Sequence, residues 1–207
     1  MEDIPVRDRG EDSGQQSPIK QIESFVRQNT HSLSHGFDHT RRVFNICLFL
    51  GKKEEANLDV LLPASLLHDV GRDLEEHLGA NSAESAEFLA KDFLKQINYP
   101  GHYSKAIFDV IKSHRTAVEQ TPELLEARIL SDADKLDSVG GTGIARTFTF
   151  AGSRGKDVMA TIPYLKQKTE RLLSELFTKT ARVLAEERIK YTLTFLQKMQ
   201  DEEIGPR

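Results

Sequence analysis

The sequence predicts an all-α fold, a single compact helical bundle closed by long C-terminal helices. Three observations carry that expectation. Apolar residues recur at three- and four-residue spacing through most of the 207 residues. No stretch keeps the apolar–polar alternation of a half-buried strand. Glycine and proline fall between the periodic segments, where they punctuate a chain.

The elements follow in order. "IKQIESFVRQN" places Ile19, Ile22, Phe25 and Val26 at helical spacing, so the fold is expected to begin near Ser17-Pro18, with proline in the first turn. Residues 1–17 mix charges without an apolar core and read as a flexible tail, not a signal peptide. "DHTRRVFNICLFLGKKEEA" is a second helix with Asp38 as its expected N-cap. "LDVLLPASLLHDVG" is a third, very apolar, with Pro63 in its early turns and Gly71 as its stop. "GANSAESAEFLAKDFLKQIN" is amphipathic along Ala83, Ala86, Leu89, Ala90 and Phe93. "YPG" breaks the chain before the short helix "SKAIFDVIKSH". "TPELLEARILSDADKLDS" opens on a Thr-Pro-Glu start signal, and "VGGTGIARTFTFAGSRGKD" reads as part helix, part loop. Two long amphipathic segments run from about Pro163 to Met199. The expected organisation is a core over 18–155, with helices of 156–207 packed on the same domain.

Composition narrows the function. At 38% hydrophobic and 29% charged, the chain can enclose a real core. Lys+Arg 28 against Asp+Glu 32 leaves −4, which argues against a nucleic-acid polymer as partner. The single cysteine, Cys47, sits in the apolar run "VFNICLFL". It reads as a core residue, excludes a disulfide framework or thiolate metal cluster, and fits a reducing compartment. No apolar run approaches the roughly 18–20 residues that cross a bilayer, so no membrane role is expected and the cytoplasm is the default location.

Four of the seven histidines, His39, His68, His77 and His114, fall at or near the ends of apolar helices, and Asp69 and Asp134 accompany them. A buried aspartate costs several kcal/mol unless a hydrogen-bond network or a cation satisfies it. One divalent ion would satisfy three helices at once through His39, His68, Asp69 and Asp134. Two carboxylates balance its charge. Mixed nitrogen and oxygen donors without sulfur suit manganese, iron, cobalt or nickel better than zinc or magnesium. Neighbouring helical residues point roughly 100° apart, so an ion reaches both His68 and Asp69 only over their seam or at a helix end. The bland alternative is a capped helix terminus, and "HD" taken alone does not decide between them.

The ordered residues do more. His39, then "LLHDVG", then Asp134 in "ILSDADKLDSVGGTGIAR" resembles the HD superfamily of metal-dependent phosphohydrolases, most of all its small stand-alone bacterial-type members. The resemblance covers about Ile22 to Gly155. It implies a metal held by His39, His68, Asp69 and Asp134, and metal-activated water attacking phosphorus in a nucleotide. The reaction is then triphosphate cleavage releasing pyrophosphate, or phosphomonoester hydrolysis. Manganese is the expected ion, with cobalt, nickel, iron or magnesium acceptable. One ion is favoured, because the stand-alone relatives work that way. His77 and His114 lie where two-metal members carry extra histidines. With one ion they are expected to contact substrate phosphate or to stand behind the ligands; with two, Asp69 bridges and a phosphodiesterase becomes the alternative. A non-catalytic nucleotide or metal sensor is the other alternative.

Basic residues follow the ligands, and phosphate needs such donors. Arg42 and Lys135 are expected substrate contacts. Arg72 and Asp73, with Asp69, are the expected catalytic set, and Glu75 and Glu76 are further carboxylates near it. Arg72 stands where some superfamily nucleotidases place a glutamate. His31 and His35 read as loop residues and His102 as a surface residue. Gly140 to Gly143 either line a pocket or serve close packing, and Phe148 and Phe150 read as core more readily than as base-stacking residues. The long C-terminal helices are compatible with a homodimer.

Overall fold

The computed structural model describes residues 16–30, 36–71, 82–115 and 121–205. Among them the chain forms nine α-helices and no strand, as the periodicity predicts. They are α1 (Pro18–Gln28), α2 (Phe37–Lys53), α3 (Leu58–Leu67), α4 (Ser82–Gln96), α5 (Gly101–Arg115), α6 (Leu125–Leu136), α7 (Gly140–Ser153), α8 (Val158–Glu175) and α9 (Lys179–Ile204). The expected tail at 1–17 lies almost wholly outside the described residues.

Helix α3 is the hub. It packs on α1, α2, α5 and α6, and its residues Val60 to Leu67 are all buried. Such an element can stay helical only if its backbone is satisfied, and Pro63 threatens that. Pro63 is the sixth residue, in the early turns as expected, and its missing N–H leaves the Asp59 carbonyl without a helical donor. The Tyr99 hydroxyl donates to that carbonyl instead, at 2.7 Å. Asn57 caps the helix by accepting from the Asp59 N–H at 3.1 Å.

Other starts also differ from expectation. The N-cap of α2 is the extended Gly36, so Asp38 lies in the first turn, where its charge favours the dipole without capping. Helix α6 begins at Leu125, not at Thr121, because the Arg128 guanidinium ties down the Pro122 and Glu123 carbonyls of the preceding segment. The glycine-rich "VGGTGIARTFTFAGSRGKD" is part helix, part loop as expected: α7 takes Gly140–Ser153 and the rest is turn and loop. Helix α8 begins at Val158, five residues before Pro163, with Asp157 capping the Ala160 N–H at 2.7 Å.

One apolar core runs from Ile22 and Val26 of α1 through α2–α6 and takes in Leu172, Leu176, Ala181 and Ala185 from the C-terminal helices. Cys47 is fully buried in it, as expected. A smaller cluster, Ile144, Ile162, Leu165 and Leu196, joins α7, α8 and α9, with Phe148 packed against it. Buried Asp132 fastens the α8–α9 corner to α6. Its carboxylate accepts from the Phe177 N–H, the Thr178 N–H and the Thr178 hydroxyl, each at 2.8 Å. Ends of α2, α3, α5 and α6 are thereby brought to one place.

Candidate metal centre

Helix α3 stops at Leu67, and His68 to Gly71 form a turn, so the helix ends four residues before the glycine expected to stop it. This is the helix-end geometry that lets adjacent His68 and Asp69 face one point. The His68 ring is fixed by its Nδ1–H, which donates to the Ser65 carbonyl at 2.7 Å. Its Nε2 is buried and makes no hydrogen bond among the described residues. Asp69 Oδ2 lies 3.5 Å from that nitrogen and 3.5 Å from His39 Nε2.

His39 enters from the first turn of α2 and Asp134 from the last turn of α6. Asp134 Oδ1 is 3.3 Å from His39 Nε2. His39, His68 and Asp134 each offer a ligand atom, and these atoms lie within 4.8 Å of one another. Two imidazoles and the Asp134 carboxylate thus converge from three helices, with Asp69 Oδ2 beside both imidazole nitrogens. His39, His68 and Asp69 are buried, whereas 44% of the Asp134 side chain is exposed, so the cluster opens to solvent at Asp134.

The electrostatics fit a cation. Burial lowers the His68 imidazole and keeps it neutral, the form that ligates. Burial also works to lower His39, but hydrogen bonds to the Asp134, Asp137 and Asp69 carboxylates outweigh it and raise it to about 10. Desolvation would raise the Asp134 carboxyl, but the hydrogen bond and charge of His39 hold it well below the usual carboxylate range. A proton on His39 therefore stands where a divalent cation would balance the same carboxylates. With one buried imidazole nitrogen aimed into the cluster, the donor set suits a divalent ion.

The residue that sequence reasoning missed is Asp137, the C-cap of α6. Its buried Oδ2 accepts from His39 Nδ1–H at 2.8 Å. Arg42 grips the carboxylate at 2.7 Å and 3.2 Å, and Arg146 of α7 donates to it at 2.6 Å. A carboxylate behind a ligand histidine fixes its tautomer and raises its donor strength. Asp137→Ala is expected to weaken Mn²⁺ binding roughly 10- to 100-fold, measurable by calorimetric titration; Asp137→Asn, which keeps an acceptor oxygen, should lose less. The sequence signal was available, since Asp137 follows Asp134 by three residues and so shares its helix face.

The other expected residues are distributed unevenly. His114, on α5, is buried with its ring 5.5 Å from that of His68, and its Nδ1–H donates to the Ile111 carbonyl at 2.6 Å. Arg42 is engaged with Asp137. The Lys135 ammonium donates to Ser131 Oγ and the Glu175 carbonyl at 3.0 Å and 2.9 Å, above the Phe177 ring. Arg72, Asp73, Glu75, Glu76 and His77 lie outside the described residues, as do His31 and His35. His102 is exposed beside Tyr103. Gly140 and Gly141 line a cavity of about 350 Å³ that shares Arg42 and Asp137 with the cluster. Gly143 instead serves packing against Ser138.

An all-α bundle that gathers His, His-Asp and Asp in that order at the ends of three helices is the architecture of an HD domain. The chain belongs to the HD domain family, whose model matches residues 36–139, the span that holds all four candidate ligands. YpgQ of Bacillus subtilis (strain 168), described as an uncharacterized protein, is 27% identical over 87% of this chain and 91% of its own. The crystal structure of YpgQ in complex with ADP superposes with a TM-score of 0.74, covering 90% of this chain and 98% of YpgQ at 27% identity. A protein from an uncultured Thermotogales bacterium, described as a predicted HD superfamily hydrolase, matches with a TM-score of 0.67 and 28% identity, over 88% and 91% of the two chains. No helix among the described residues is long and apolar enough to cross a membrane.

Proposed function

We propose that this protein is a metal-dependent phosphohydrolase acting on a nucleotide, either a triphosphate pyrophosphohydrolase or a phosphomonoesterase. The observation that carries the reading is the buried His68 Nε2, which makes no hydrogen bond among the described residues, set 3.5 Å from Asp69 Oδ2. His39, His68, Asp69 and Asp134 would hold the ion. A divalent cation held there would supply Lewis-acid polarisation of a phosphoryl oxygen and a lowered pKa for bound water. The chain's own residues do the rest. Asp137 orients His39, and the exposed side of Asp134 leaves the approach by which a phosphate ester enters. The ADP held by YpgQ supports a nucleotide as the ligand class.

Manganese leads among the expected ions, followed by cobalt, nickel, iron and magnesium. The placement of His114 beside the His68 ring favours a second reading, in which His114 helps hold a second ion and the substrate is a phosphodiester. Release of phosphate or pyrophosphate from a nucleotide panel tests both, with Mn²⁺, Co²⁺ or Ni²⁺ present, with chelator, and with Asp69→Ala. Metal-dependent release lost in Asp69→Ala is expected. No metal-dependent release from mononucleotides or diesters would overturn the enzymatic reading.

A further inference from the structure

The cationic side chains near the metal cluster have a common fate, with one exception. Arg42 and Arg146 are turned onto Asp137. Lys135 is held by Ser131 and Glu175, and Arg188 donates to the Leu136 carbonyl at 2.8 Å. Lys168 has no such acceptor: among the described residues it makes no hydrogen bond or ion pair.

Its position makes this notable. On α8 the inward stripe is Thr161, Ile162, Leu165, Thr169 and Leu172, and Lys168 lies within that stripe, three residues after Leu165 and four before Leu172. It is half-buried, and its charge acts on Asp134 and Glu175 by attraction and on Arg146 by repulsion. An ammonium drawn out of water without a partner is unfavourable unless an anion completes it. Asp134, at the open edge of the cluster, would have its charge balanced by a bound divalent ion.

We propose that Lys168 is a substrate-binding residue, its ammonium contacting the phosphate groups of a nucleotide that enters over Asp134. This rests on the phosphohydrolase reading for the site and adds a residue and a charge preference to it. Asp69, Asp134 and Asp137 against Arg42, Arg146 and Lys168 sum to zero, so a bound divalent ion leaves a centre of charge +2. Such a centre favours di- and triphosphates over monophosphates. No covalent step is assigned to Lys168.

The test is calorimetric binding of ADP, ATP and AMP in Mn²⁺ to the wild type, Lys168→Gln and Lys168→Arg, with hydrolysis followed separately. Lys168→Gln should bind ADP and ATP roughly 10- to 100-fold more weakly, lose less for AMP, and keep wild-type Mn²⁺ affinity and thermal stability. Lys168→Arg should recover most of the loss. Unchanged nucleotide affinity in Lys168→Gln, an equal loss for AMP and ATP, or no nucleotide binding by the wild type would overturn it. Binding without turnover in the wild type would overturn the enzymatic reading alone, leaving Lys168 judged by affinity.

Discussion

His68→Ala is expected to remove most of the metal-dependent stabilisation of the fold. The imidazole is one of the four candidate donors, and its buried Nε2 makes no hydrogen bond among the described residues. Loss of an outer partner of a metal ligand already costs roughly 10- to 100-fold in affinity, so loss of the ligand itself should cost at least about 100-fold. At a Mn²⁺ concentration of about 100 Kd the wild type should gain about 2.7 kcal/mol of stability. A 100-fold weaker site at that same concentration retains only about 0.4 kcal/mol. Thermal unfolding with and without Mn²⁺ reads the difference. The metal-free variant should also be less stable, since it loses the Nδ1–H bond to the Ser65 carbonyl and opens a small cavity. That loss is separable because it appears with chelator present. An undiminished Mn²⁺ effect in His68→Ala would remove His68 from the ligand set.

Gly143→Ala is expected to destabilise the protein by about 3 kcal/mol or more. A Cβ on Gly143 would lie 2.2 Å from the carbonyl carbon and 2.5 Å from the carbonyl oxygen of Ser138. Both are backbone atoms in the turn joining α6 to α7, so no side-chain rotation relieves the overlap. The start of α7 would have to lift. Gly140 would move with it, and its N–H, which donates to Thr192 Oγ1 at 2.8 Å, would lose its place on α9. Arg146 lies one turn further along α7, so its hold on Asp137 would loosen as well. Gly152, on the same helix, is the control: a Cβ there meets nothing within 4 Å. Gly152→Ala should shift stability by less than about 1 kcal/mol, in the favourable direction. Equal unfolding midpoints for Gly143→Ala and the wild type would refute the packing role.

The contrast between these two glycines shows where sequence reading ends. "GGTG" offers four residues with no stated partner, and only the fold brings the Ser138 backbone against one of them. The helical class was legible because apolar spacing is a local property, and His39, His68 and Asp134 were legible as polar side chains at the borders of apolar runs. Helix starts were less so. Backbone alone caps α2 at Gly36, and Arg128 holds back the start of α6, neither of which a search for polar caps detects. Asp137 was hidden in "DADKLD", where three carboxylates share one segment. The structure separates them into a corner tie at Asp132, a candidate ligand at Asp134 and a His39 partner at Asp137. Lys168 is one of many charges on the amphipathic segment after Pro163, and nothing in its spacing singles it out. Only the packing of α8 against α7 and α9 places it on the inward stripe.

Metal content per chain, measured by equilibrium dialysis against Mn²⁺ in the wild type and Asp69→Ala, tests the metal centre most directly. Asp69 is the donor whose Oδ2 sits 3.5 Å from both histidine nitrogens, so it joins the two halves of the cluster. The account predicts one ion per wild-type chain, two if His114 recruits a second, and no retained ion in the variant at the same free concentration. A wild type that binds no Mn²⁺, Co²⁺ or Ni²⁺, or an Asp69→Ala protein that binds as many ions as tightly, would contradict it.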